Sequence, residues 1–166
     1  NGDGTVTDTR TGLTWLAHAN CFGEQGWNAA VALVRALPTG ETCEGTPLRD
    51  GSRPGDWRLP SIRELMSLPD IRFVNPALSN GGGTDRWREG DVFRAVQAGY
   101  YWSSTRVAAD TAWYMYLNNG VLGLSELSEP YFIWPVRGAL GQRWCLDARD
   151  PVQPERSNTV PASHLH

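Results

Sequence analysis

Apolar positions along this chain follow two periods. In residues 26–38, GWNAAVALVRALP, the apolar residues Trp27, Ala30, Val31, Val34 and Leu37 recur three or four apart, which predicts one buried face of a helix that stops at Pro38. The same spacing returns in GDWRLPSIRELMSLPD, residues 55–70, through Ile62, Leu65, Met66 and Leu68. Pro60 precedes this second helix, Ser61 can cap it, Glu64 stands where a capping box needs it, and Pro69 ends it. Just ahead, Trp57 and Leu59 alternate around Arg58, so a short extended piece points both apolar side chains into the core. Asp56 and Arg58 are expected to tie loop backbone or each other.

Elsewhere the period is two. Val6-Thr7 and residues 13–16, LTWL, flank the turn DTRTG and predict a hairpin. Further runs, YYWSST, TAWYMYLNNGVLGL and YFIWPVRG, read as strands, with Asn118-Asn119-Gly120 a strong hairpin signal. Alternation sets Trp113 and Met115 on one face and Tyr114 and Tyr116 on the other, and the tyrosines suit the wetter face because their hydroxyls tolerate water. Long irregular stretches occupy residues 39–54 and 75–91, the second centred on Gly81-Gly82-Gly83. Residues 141–166 read as an extended tail punctuated by Pro151, Pro154 and Pro161 after a domain spanning residues 1–140.

Composition narrows the class. A chain of 166 residues with 40% hydrophobic content buries one substantial core, and no apolar run approaches the roughly 20 residues that cross a bilayer. The net charge of −3, with a pI near 5.6, supplies no basic field for nucleic acid. Every strongly basic side chain is Arg, since Lys is absent. The chain opens at Asn1 without Met or an apolar leader, so a targeting signal is expected to be removed or upstream. Of three cysteines, Cys21 and Cys43 flank the first helix and Cys145 is distant. A Cys21–Cys43 disulfide would suit an extracytoplasmic protein, while three reduced thiols remain the alternative that an odd count leaves open.

Catalytic and metal chemistry find little support. Nucleophilic catalysis needs a nucleophile with an oriented base, and His18 is the one histidine inside the domain, with His164 and His166 in the tail. Asp85, Glu89, Asp91, Glu126 and Glu129 are read as solvated loop carboxylates, so the chain is expected not to be an enzyme and to carry no cofactor. Asn1, Asp3 and Asp8 in NGDGTVTD resemble the start of a calcium loop but lack its later glutamate, so the segment is read as a turn entering the hairpin and no metal site is assigned.

The ordered series NGDGTVTDTRTGLTW, a Trp-containing helix, GDWRLPSIRELMSL, YYWSST, AWYMYLNNG and YFIWPVRG closely resembles the Lcl C-terminal domain family, the last module of a bacterial collagen-like adhesin. The resemblance runs from about Asn1 to Gly138. It implies an α+β, C-type-lectin-like fold in which two helices pack on a twisted antiparallel sheet and long loops carry the binding surface. It also implies a secreted or bacterial cell-surface location. The formylglycine-generating enzymes, similar in fold, depend on paired reactive cysteines, and no close Cys pair occurs here. Glu129-Pro130 resembles the Glu-Pro-Asn calcium motif of true C-type lectins, but Tyr131 stands in place of Asn. The collagen-like adhesin's module is associated with sulfated glycosaminoglycans through positive charge, and this chain departs from that in being net acidic and free of Lys.

What remains is a recognition surface. Arg86, Trp87 and Arg88 put an aromatic between two cations, where Trp87 either stacks on a ligand or folds back as a plug. With Arg106, Asp110, Tyr114, Tyr116 and Asn118 they form the expected ligand-binding set, a mixture of aromatic and hydrogen-bonding groups suited to an extracellular glycan or protein. The second hypothesis is a structural subunit that self-associates through the tail and exposed strand edges.

Overall fold

A computed structural model of the chain describes residues 1–38, 42–43 and 46–139; the expected tail, with Cys145, lies outside the described residues. The elements in order are β1 (Thr5–Thr7), β2 (Thr14–Leu16), α1 (Trp27–Arg35), β3 (Thr42–Cys43), β4 (Thr46–Pro47), α2 (Ile62–Leu65), β5 (Tyr100–Ala108), β6 (Thr111–Tyr116), β7 (Val121–Glu126) and β8 (Val136–Arg137). The class is α+β.

The predicted first hairpin forms, with Thr5 opposite Leu16 and Thr7 opposite Thr14. Its turn is closed by the Asp8 N–H on the Leu13 carbonyl and the Gly12 N–H on the Asp8 carbonyl, each at 2.8 Å. Ahead of it, Asp3 Oδ1 accepts from the Thr5 hydroxyl at 2.6 Å and the Thr5 N–H at 3.0 Å, which makes the entry a turn. Those bonds, the hydroxyl's first, hold the Asp3 carboxyl below its ordinary value against the opposing cost of burial.

Both helices occur. In α1, Ala30 and Val34 are buried. The capping box on α2 is complete, as Glu64 N–H donates to Ser61 Oγ at 3.2 Å and Ser61 N–H donates to Glu64 Oε1 at 2.8 Å. The helix is shorter than its apolar stripe suggests. After Leu65 the bonds tighten to three-residue spacing, Ser67 and Leu68 donating to the carbonyls of Glu64 and Leu65, and the Ser67 hydroxyl takes the Glu64 carbonyl as well. Pro69 then supplies no donor. Arg58 reaches forward to the Glu64 carboxylate, with bonds of 2.5 and 2.6 Å, and to the Gly138 carbonyl at 2.6 Å. Asp56 accepts instead from the Arg53 N–H at 2.8 Å.

Rather than one sheet, the chain builds two antiparallel three-stranded sheets, β1-β2-β8 and β5-β6-β7, beside the short β3-β4 ladder. Residues 131–137 link the larger two. The Phe132 N–H donates to the Tyr100 carbonyl at 2.8 Å and the Trp102 N–H to the Phe132 carbonyl at 3.0 Å, after which Val136 pairs with Trp15. Pro135, which has no N–H to donate, stands between these pairings and prevents a continuous ladder.

Alternation sends neighbouring residues into different clusters. Trp15, Ile62, Leu65, Tyr101 and Met115 belong to the first, and Leu16, Val34, Trp57, Trp102 and Ala112 to the second. Sheet β5-β6-β7 therefore lies between α2 on one face and α1 on the other. Trp57 and Leu59 share the second cluster, as their spacing predicts. Cys21 and Cys43 are disulfide-bonded, with Cα atoms 5.1 Å apart, which ties the segment before α1 to β3.

Candidate binding surface

The register of β5-β6-β7 dictates what the α1-side face presents. Tyr100 pairs with Tyr116 and Trp102 with Tyr114, while Tyr116 pairs with Val121 and Tyr114 with Gly123, so these six project to one side. Trp102 is fully buried under the cluster that holds α1. Tyr114 and Tyr116 are half-buried, as is Trp113 on the opposite face, whereas Met115 is fully buried there.

The tyrosines form a stack. The Tyr100 ring lies 4.4 Å from Tyr116, with planes 16° apart, and 5.1 Å from Tyr131 at 28°. Tyr114 meets Tyr100 and Tyr131 edge-on, at 5.2 and 5.3 Å. Gly123 makes room for this arrangement, since a Cβ there would lie 2.4 Å from the Tyr114 ring and hydroxyl. The Tyr131 hydroxyl shares a 2.9 Å hydrogen bond with Ser125. Those of Tyr100, Tyr114 and Tyr116 bond to no group among the described residues. Burial raises the Tyr114 phenol above its ordinary value, and the nearby Tyr131 and Tyr100 push the same way, so it stays a neutral donor.

The other sequence-predicted residues lie toward the two ends of β6. At one end, the Arg106 guanidinium donates to the Ala109 carbonyl and sits 5.3 Å over the Trp27 ring. Beside it, Asp110 accepts from the Thr111 hydroxyl at 3.0 Å. At the other end, about 17 Å away by strand rise, the Asn118 carbonyl accepts from the Asn75 N–H at 2.7 Å. Arg86 in turn donates to the Asn75 carbonyl. Arg88 pairs loosely with Asp85 at 3.6 Å. Trp87 is turned inward, its indole N–H on the Phe93 carbonyl at 3.0 Å and its ring against the first cluster. Arg86, Trp87 and Arg88 line a shallow concavity with Phe73, Asn75 and Pro76. Tyr100, absent from the sequence-derived set, is the centre of the ring stack; its signal was the Tyr100-Tyr101 pair, which alternation must split between two faces.

The Lcl C-terminal domain matches residues 4–137 of this chain. The chain belongs to that family. The match covers every described strand and helix, so both the sheet face and the loops are parts of an Lcl C-terminal domain. No individual curated protein matches the sequence. Among the described residues no helix of this Lcl C-terminal domain is long and apolar enough to cross a membrane.

Proposed function

We propose that this Lcl C-terminal domain is an extracellular, non-enzymatic, adhesin-like module of C-type-lectin-like fold, secreted or held at a bacterial surface, that recognises a glycan or protein through its tyrosine face. The observation that carries the reading is the set of three phenol hydroxyls, on Tyr100, Tyr114 and Tyr116, presented from stacked rings without a partner among the described residues. Rings held by one another lose little freedom when a ligand arrives, and Tyr combines apolar area with a hydrogen-bonding tip. Asn118 follows Tyr116 by two residues at the same end of β6. The Cys21–Cys43 disulfide suits an oxidising compartment.

Self-association has its own support in β7, an edge strand on which Val121 and Leu124 are about half exposed. A size measurement across a concentration series separates the readings, because a monomer at all concentrations removes the second.

The test of the first is Tyr116→Ala and Tyr100→Ala against a captured glycan or matrix-protein ligand. Binding should fall at least tenfold, while Tyr116→Ala loses about 1 kcal/mol of stability, the scale of one aromatic pair, and Tyr100→Ala, which gives up three ring contacts, about 3 kcal/mol. Parallel loss of stability and binding would mean that these rings are core.

A further inference from the structure

On the α2 side, across the sheet from the tyrosine face, a cleft of about 670 Å³ opens between the β1–β2 turn, the segment after α2 and the Gly81-Gly82-Gly83 loop. Its size falls within the range of small-molecule sites. The floor is apolar, with Trp15, Leu78 and Phe93 all buried in the first cluster. At the edge, Ile71 and Val92 remain 86% and 49% exposed, which is costly surface for residues with no other evident partner.

The mouth is built from one local motif used twice. In Asp8-Thr9-Arg10 the Asp8 carboxylate accepts from the Arg10 N–H at 2.9 Å and from its guanidinium at 3.3 Å. In Asp70-Ile71-Arg72 the Asp70 carboxylate accepts from the Arg72 N–H at 3.1 Å and from its guanidinium at 2.6 Å. Each Arg then reaches to a neighbouring wall. Arg10 donates to the Ser67 carbonyl at 3.4 Å, and Arg72 to the Gly83 carbonyl at 2.8 Å. The hydrogen bond from Arg72 holds the Asp70 carboxyl below its ordinary value, and Arg10 adds to the same field, so the charges of the two motifs act on one another. Gly81 completes the shape. A Cβ there would meet Val92 Cγ1 at 2.9 Å, so only a glycine lets the loop lie this close to that wall.

We propose that this cleft binds a neutral saccharide, whose hydroxyls bridge the Asp8–Arg10 and Asp70–Arg72 pairs while its apolar ring face rests on the floor and on Val92. Two carboxylates and two guanidiniums cancel, so the cleft presents no net charge to an anion or a cation, whereas a vicinal diol can donate to a spare Asp lone pair and accept from a spare Arg N–H at the same time. Walls already pinned by Arg10 and Arg72 need little ordering on binding. The proposal uses the reading of the domain as a recognition module but not the tyrosine face.

The test is an amide NMR titration of the protein with neutral methyl glycosides, including N-acetylhexosamines, beside glucuronate and free glycine as charged probes. Saturable shifts of the Gly81, Gly82 and Gly83 amides are expected with a Kd on the order of 1 mM for one neutral sugar. Asp8→Asn and Arg10→Ala should each weaken it about tenfold, and Tyr116→Ala should leave it unchanged. Absence of saturation with every neutral sugar, tighter binding of glucuronate or glycine, or shifts confined to the tyrosine face would overturn the proposal. Because the last variant addresses only the tyrosine face, failure of one site is distinguishable from failure of the other.

Discussion

Trp57 has no exposed surface, and its indole N–H still finds an acceptor, Ser52 Oγ at 2.9 Å. Arg137 lies 5.6 Å over its ring. Trp57→Ala should therefore cost about 3–5 kcal/mol, the range for deleting a buried large aromatic, as read by denaturant unfolding; a midpoint equal to that of the wild type would remove the role assigned to it. Glu64 is a second such residue, since it serves the Ser61 N–H and Arg58 together. Glu64→Ala should cost about 2–3 kcal/mol, because it takes both carboxylate bonds from a half-buried guanidinium, which keeps its bond to the Gly138 carbonyl, and leaves one cap donor unmet. Trp87 belongs here too. Its inward ring predicts that Trp87→Ala lowers stability, whereas an outward ligand-stacking ring would leave it unchanged.

Among elements, the two helices, the first hairpin and the β6–β7 hairpin were legible because their signals are local: the Ser61–Glu64 box, the apolar stripes and Asn118-Asn119-Gly120. The tyrosine stack was only half legible. Tyr114 and Tyr116 could be put on one face by alternation, but Tyr100 and Tyr131 join them through strand register and the long-range Phe132 bridge, which no local pattern encodes. Arg86 and Arg106 were expected in the ligand-binding set, and the structure shows both guanidiniums bonded to backbone carbonyls brought near by turns. Gly123→Ala tests the stack directly, since the new Cβ must displace the Tyr114 ring; ligand binding should fall with it. The phenols make a pH prediction as well. Burial raises Tyr101 and Tyr114 above the ordinary 10.0. The unfolded chain then loses those protons first, so their stabilising contribution is complete below pH 10 and is lost as pH rises through the folded values. Ultraviolet titration should show the Tyr101 and Tyr114 phenols ionising late, as judged against Tyr101→Phe and Tyr114→Phe, and an ordinary titration of both would contradict the burial assigned to them.

For the whole molecule, the disulfide joins residues 22 apart and closes the loop that contains α1. Reducing it, or replacing both cysteines by Ser, should cost about 3 kcal/mol without changing the fold, as followed by thermal unfolding with and without reductant. The two clusters pack on opposite faces of β5-β6-β7, so the sheet divides the core in two. The most direct test of this account is one array of glycans and extracellular matrix proteins probed with the wild-type domain and with the Tyr100→Ala/Tyr116→Ala double variant. The wild type should bind at least one class of ligand, and the folded double variant should lose it. A wild type that binds nothing, or a double variant that binds equally well, would contradict the tyrosine face as the site of recognition.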